Sequence, residues 1–343
     1  MPHSHHSHSG DYIAHGVDPL DSVIARVLDL QFHTYCLTEH MPRLNDKFLY
    51  PEEIESHQDT ATLKRQFQRY LEHARVIKRR VNNDSSSRTR ILIGAEIDVC
   101  DRKHIEYAKL LLEKEEDIQF LVGSCHHVEG VPIDFDLDTW MQALHKTAGN
   151  NIKIFLKKYF QTQYEMLHHV KPLVVGHFDL IRLFFPQCGL SVNPATGDVV
   201  SADVPGAVAV ADICSDKIMT MWDEVQAEII KNLKFVDSYG GAIEINTSGL
   251  RKKLKYPYPH KDISDLVKQY CGARFVLSDD AHGVSQVATN YLKALDFIQK
   301  DLGLQQMFYL EENEITKEVH ITQQSIEDFS KDVFWDILKQ KRI

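Results

Sequence analysis

The chain has 343 residues, of which 43% are hydrophobic and 26% charged, and its formal net charge is −10. This is the composition of a globular chain with a sizeable core, and its length, long for one domain, is routine for an α/β barrel. The acidic balance, without a long basic run, argues against a broad nucleic-acid or anionic-membrane surface, but not against a small anion held by two or three cations.

The first sixteen residues hold five of the nineteen histidines: His3, His5, His6, His8 and His15. Residues i and i+2 of a strand share a face, so His3 and His5 can converge on one ion. The plain alternative is a tag or a disordered histidine tract. Asp18-Pro19 then opens a helix whose apolar stripe, Leu20, Val23, Ile24, Val27, Leu28 and Leu30, runs to about residue 30. Residues 34–38 read as a short buried strand ended by Glu39 and His40, and an inserted loop is expected near 44–60. Residues 62–81 form an amphipathic helix with Lys78, Arg79 and Arg80 in its last turn, favourable against the helix dipole.

A second strand at 91–95 ends in Glu96, and a helix follows at 101–115. The strand at 120–123 ends in Ser124-Cys125-His126-His127. Residues 138–169 are helical, with a break near Gly149. The strand at 173–175 ends in Gly176-His177-Phe178-Asp179. An insertion at 187–212 carries no readable structure. A helix is expected at 217–239, a strand at 242–245, a helix at 263–270 and a strand at 274–277 ending in Asp279-Asp280-Ala281-His282. Helices at 285–302 and about 324–340 complete the chain.

This β-α alternation, repeated at least six times with no linker, predicts a parallel sheet with helices outside it, in a single domain over 1–343. Nearly every strand ends in polar residues, so a closed barrel is expected over an open sheet, which would gather its site at one switch point. No apolar run is long enough to span a bilayer, and the start resembles neither a signal nor a transit segment. Cys36, Cys100, Cys125, Cys188, Cys214 and Cys271 are scattered, which suits reduced thiols in a cytoplasmic setting.

The strand ends supply His3, His5, Asp11, His40, Glu96, His126, His177, Asp280 and His282. One such residue alone is more often structural, but nine together suit two or three ions with Glu96 bridging. Imidazole and carboxylate without thiolate favour zinc, manganese or iron. His6 and His8 are read as spacers, and His168-His169 as a helix-end dipole partner. His127 is a substrate contact or a packing residue. Arg182 and Arg251 are expected to clamp phosphate in fork geometry, with surface ion pairs as the plain alternative, and Lys252 and Lys253 are secondary candidates.

In their order and type these motifs resemble the polymerase-and-histidinol-phosphatase family. The opening His3-Ser4-His5-His6-Ser7-His8-Ser9-Gly10-Asp11 is similar to its first motif, Thr38-Glu39-His40 to its second and Gly94-Ala95-Glu96 to its third. Gly123-Ser124-Cys125-His126, Gly176-His177-Phe178-Asp179 and Asp280-Ala281-His282 follow the later ones. Glu244-Ile245-Asn246-Thr247-Ser248-Gly249-Leu250-Arg251 resembles an element of the family's phosphatases rather than its nucleases. The resemblance implies a distorted seven-stranded β/α barrel with metals at its C-terminal mouth. It assigns one ion to His3, His5, Glu96 and Asp280, a second to Glu96, His126 and His177, and a third to Asp11, His40 and His282. It further implies hydrolysis of L-histidinol phosphate in histidine biosynthesis by a metal-bridging hydroxide. Asp280 would take the water's proton, and Asp11 or a metal-bound water would assist the leaving group. The rivals are another phosphoesterase of the family, an amidohydrolase, for which the bridging lysine is missing, and a non-catalytic metal-binding protein.

Overall fold

Seven parallel strands succeed one another around a barrel in the order of the chain. The computed structural model describes residues 1–216 and 221–341. The strands are β1 (His3–Ser4), β2 (Thr34–Leu37), β3 (Arg90–Asp98), β4 (Phe120–Ser124), β5 (Val174–Val175), β6 (Ala242–Asn246) and β7 (Phe275–Ser278). Their register is continuous, from His3 opposite Thr34 to Ile243 opposite Phe275. The ring closes where the chain beyond β1 meets the end of β7. There Ser7 bridges Ala281 in parallel, and the amides of His8 and Asp280 donate to the carbonyls of Ala281 and His6.

Helices cover the outside because their apolar residues recur at helical spacing. In α1 (Leu20–Asp29) the stripe is Leu20, Val23, Ile24 and Val27. In α2 (Thr60–Asn82) it is Leu63, Phe67, Tyr70, Leu71, Ala74, Ile77 and Val81, and the Asp59 side chain caps the helix by accepting from the Thr62 amide. The stretch expected at 138–169 is two helices, α3 (Leu137–Ala148) and α4 (Ile152–Val170). Gly149 adopts the left-handed conformation that ends the first, with φ 58°, and the Asn151 side chain caps the second.

Several expectations need correction. Residues 44–60 are not a plain loop: they hold a 3-10 turn at Asp46–Phe48 and a short helix at Pro51–Glu55. Within 187–212, strand pairs Ser191–Val192, Val199–Val200 and Val208–Ala209 form a small antiparallel sheet. Of the helix expected at 217–239, positions 217–220 lie outside the described residues, and its described part is Asp223–Tyr239. The C-terminal segment departs most. A hairpin, β8 (Gln306–Glu312) with β9 (Val319–Ser325), precedes two helices, Ile326–Ser330 and Val333–Lys341. Its first strand lacks strict alternation because Met307, Tyr309 and the adjacent Leu310 are all buried.

That hairpin plugs the N-terminal end. Leu310 packs with Cys36, Leu92, Phe120, Val122, Val174, Ala242 and Val276, one inward side chain or two from each of six strands. Space inside is tight: a Cβ on Gly94 would lie 2.8 Å from the Phe120 carbonyl oxygen and 2.9 Å from its ring. The lower half of the barrel is therefore a packed apolar core, which leaves the other mouth for chemistry. Leu310→Ala should cost about 2–5 kcal/mol by leaving a cavity under the barrel. Urea unfolding measures this; a loss below about 1 kcal/mol would show that the hairpin is not the plug.

Candidate active site

Strand periodicity explains how the mouth is built. Side chains alternate in and out, so the phase set by the apolar core carries upward along each strand. Leu92 is followed inward by Gly94, Glu96 and Asp98, Val276 by Ser278 and Asp280, and Ala242 by Glu244 and Asn246. Cys36 is followed by Thr38 and His40, and Val122 by Ser124 and His126. In β1 the inward series is Ser4, His6 and His8. Below the mouth these positions are apolar; at the mouth they are ligand types.

Glu96, 1% exposed, is the centre. Its Oε2 lies 2.9 Å from His40 Nδ1, 3.2 Å from His6 Nε2 and 3.3 Å from His8 Nε2. Its Oε1 lies 3.0 Å from His177 Nε2 and 3.4 Å from His126 Nε2. Asp280 completes the group, with Oδ1 3.7–3.8 Å from His6 Nε2, His8 Nε2 and His282 Nδ1. Asp280 holds φ 50°, a left-handed conformation that Asp tolerates better than most residues. Asp279, its neighbour, turns away to accept from Ser4 Oγ and the Ala288 amide.

Burial alone would raise the Glu96 pKa, but the imidazoles of His6, His40 and His126 hold it well below the ordinary range. Asp280 behaves alike, with His6, His282 and His8 outweighing burial. Burial would lower His8, yet the Glu39 and Glu96 carboxylates, 3.6 and 3.3 Å from its two ring nitrogens, carry it up to about 9. For His40, burial dominates and the pKa falls to about 3. Two further carboxylates brace this layer. Glu244 accepts from His6 Nδ1 at 3.1 Å and from the His177 amide at 2.9 Å. Asp98 sits 3.3 Å from His126 Nδ1, accepts from His127 Nδ1 at 3.1 Å and faces the Arg43 guanidinium at 3.3 Å.

The structure brings His40, Glu96, His126, His177, Asp280 and His282 together, but not His3, His5 or Asp11. His3 and His5 occupy the outward phase of β1, at the wrong end of the barrel. His5 has no lone pair to offer, since Nε2 accepts from the Leu310 amide while Nδ1 donates to the Leu277 carbonyl. His3 bonds the Met1 carbonyl and stacks on Tyr309. The i, i+2 logic holds three residues further on, where His6 and His8 take the place of the expected pair. Asp11 is exposed and accepts from the Leu20 amide at the start of α1. His15 instead approaches His40 and His282, with ring centroids 5.5 and 4.9 Å away.

Among the cations, Arg251 and Lys252 line the cavity above the cluster. The Arg251 fork donates to the carbonyls of Asp279 and Asp280 at 2.9 and 2.8 Å, which fixes it beside the acid. Arg182 does not reach this cavity; it is buried with Asp179 and Asp262. His127 is buried against Asp98 and does not line the cavity either. Arg43, which sequence reasoning missed, does line it, lying three residues beyond the strand-end His40.

The donors suit metal ions. Glu96 Oε2 and His40 Nδ1, which face each other in the cluster, are buried with no hydrogen-bond partner, a costly state that a cation relieves. Sets within ligating reach include His6–His8–Glu96, Glu96–His126–His177, His6–His177–Asp280 and His8–His40–His282. A further set, Asp98–Cys100–His127, already has the Arg43 guanidinium as its cation. The cavity in front of the cluster measures about 500 Å³, the size of a small-molecule site.

Residues 4–248 match the model of the PHP domain family. The chain is 50% identical over 339 residues to histidinol-phosphatase of Saccharomyces cerevisiae, covering 97% of this chain and 99% of that one. It is 35% identical over 300 residues to a Schizosaccharomyces pombe protein named "Probable histidinol-phosphatase", covering 88% and 87% of the two. The crystal structure of Lactococcus lactis histidinol phosphate phosphatase complexed with Zn, L-histidinol and phosphate shares the fold. Its TM-score is 0.57 at 14% identity, over 88% of this chain and 93% of that one. By family match and by relatives spanning almost its whole length, the chain belongs to the PHP domain family.

Proposed function

We propose that this chain is a metal-dependent phosphomonoesterase that hydrolyses L-histidinol phosphate to L-histidinol and phosphate, working as one barrel unit in histidine biosynthesis. The observation that carries this is the convergence of five imidazoles on Glu96, with Asp280 against two of them, under a cavity lined by Arg43, Arg251 and Lys252. Its relatives at 50% and 35% identity carry the name of that activity.

We assign the cluster two or three divalent ions, of zinc, manganese or iron, held by His6, His8, Glu96, Asp280, His126, His177, His40 and His282, with His15 at the edge of the third position. Bound there, such ions neutralise phosphate charge and bring the pKa of coordinated water towards neutrality. The chain's own groups do the rest. Glu244 and Asp98 hold the His6 and His126 rings in orientation, as carboxylates behind ligating histidines do. Asp280 accepts the proton of the attacking water. Arg251, pinned by two carbonyls, stays charged and offers its remaining donors to the phosphoryl oxygens. Arg43, with a pKa raised by Asp98 against the pull of burial, adds a second fixed positive charge. The free, buried thiols of Cys36, Cys100, Cys125, Cys188 and Cys271 support a cytoplasmic setting.

Phosphate release from L-histidinol phosphate, p-nitrophenyl phosphate and an oligonucleotide tests the reading directly. The first should be the best substrate; preference for the oligonucleotide would overturn it. His6→Ala or His8→Ala should strip bound metal and activity, whereas His5→Ala should leave metal content per folded molecule unchanged, as elemental analysis would report. Arg251→Ala should lower kcat roughly a hundredfold at unchanged metal content, the scale for losing one fixed charge stabiliser. Because the His8 ring must lose its proton to ligate, and its pKa stands at about 9, protons compete with metal. Affinity should fall as pH drops below about 9, by roughly tenfold per unit for each proton displaced, and chelator competition from about pH 8 down to about pH 6 reads the slope.

A further inference from the structure

The cavity has a wall that hydrolysis itself does not use. Tyr50 and Glu52 come from the segment that holds the short helix Pro51–Glu55, and Asp134 and Phe135 from the loop before α3. Tyr50 is fixed in place. The Arg43 guanidinium lies 4.9 Å from its ring centre, and its hydroxyl donates to Asp134 Oδ1 at 3.0 Å. That bond orients the Asp134 carboxylate, which keeps its other oxygen as an acceptor. Phe135 stands beside Tyr50 with ring centroids 6.1 Å apart, and it is 38% exposed while lining the cavity. Glu52 belongs to the metal end, since it faces His15 at 3.5 Å and His15 lies against His40 and His282.

Hydrolysis alone needs only the metal cluster and the phosphate-binding cations. A carboxylate oriented by a phenol, next to an open aromatic ring, is suited to something else: a group that is positively charged and flat. Carboxylates bind ammonium by charge-assisted hydrogen bonds, and aromatic faces take both cations and heteroaromatic rings.

Resting on the hydrolysis proposed above, we infer that Asp134, Tyr50 and Phe135 form the subsite that selects the substrate's amine and ring. Asp134 pairs with the primary ammonium, and Phe135, backed by Tyr50, stacks on the imidazole. The same cavity then meets a molecule that is anionic at its phosphate and cationic at its amine, with cations and metal ligands for the first and a carboxylate for the second. The segment near 44–60, which delivers Tyr50, thereby acquires a role in substrate choice.

Asp134→Asn removes the charge but keeps an oxygen for the Tyr50 hydroxyl. It should lower kcat/KM for L-histidinol phosphate roughly tenfold through KM, while β-glycerophosphate, with neither amine nor ring, changes less than about twofold. Phe135→Ala truncates an exposed ring, so the fold should tolerate it, and it should raise KM for L-histidinol phosphate alone. If the wild-type protein cleaves β-glycerophosphate but not L-histidinol phosphate, the function proposed above fails. If the wild-type protein cleaves L-histidinol phosphate and both variants keep its KM, or lose both substrates equally, the subsite fails.

Discussion

One buried carboxylate sets the terms for the mouth of the barrel. Glu96, from the longest strand of the sheet, takes His40, His6 and His8 on one oxygen and His177 and His126 on the other. An isolated carboxylate at such burial would be neutral or excluded. Here it stays ionised because five rings from four separate chain segments surround it. The rings in turn are oriented by Glu244 and Asp98, which are also buried. The site is an electrostatic unit in two layers, and a change to one ring alters the balance for all the others.

The barrel is closed by the same segment that delivers two of those rings. Residues 3–8 pair with β2 on one side and with the end of β7 on the other. The histidine tract is thereby divided by strand phase. His3 and His5 face outward, where the C-terminal hairpin meets them and Leu310 spends its amide proton on His5. His6 and His8 face the mouth. Closure, the lower plug and the layer of clustered rings are thus mechanically linked through six residues.

Segments that interrupt the barrel shape the cavity walls. The loop after β2 supplies Arg43, the stretch containing Pro51–Glu55 supplies Tyr50 and Glu52, and the loop before α3 supplies Asp134 and Phe135. Arg43 links the two layers, since its guanidinium contacts both Asp98 behind His126 and the Tyr50 ring on the substrate side. The clustered imidazoles and carboxylates sit on strand ends and the outer cavity walls on loops, the usual division in barrels.

The amino-acid sequence by itself determined the barrel, its parallel order and most of the ligand-type residues that gather at the strand ends. Those features come from local periodicity and from residue types at the ends of apolar runs, which are legible residue by residue. Glu96, His126, His177 and Asp280 were all readable in this way, as was the need for two imidazoles at spacing two near the start. Which two was decided only by tertiary structure. His3/His5 and His6/His8 have the same spacing, and the choice depends on where β1 begins relative to β2, a register set by pairing with a distant strand. The same limit applies to Asp11, to Arg182, which Asp179 three residues back and Asp262 on a distant helix hold together, and to Arg43, whose value lies in two neighbours far away in the chain. It applies also to the C-terminal hairpin, whose place beneath the barrel leaves no clean alternation to read. Contacts between distant segments, unlike the period of one strand, exist only once the chain has folded.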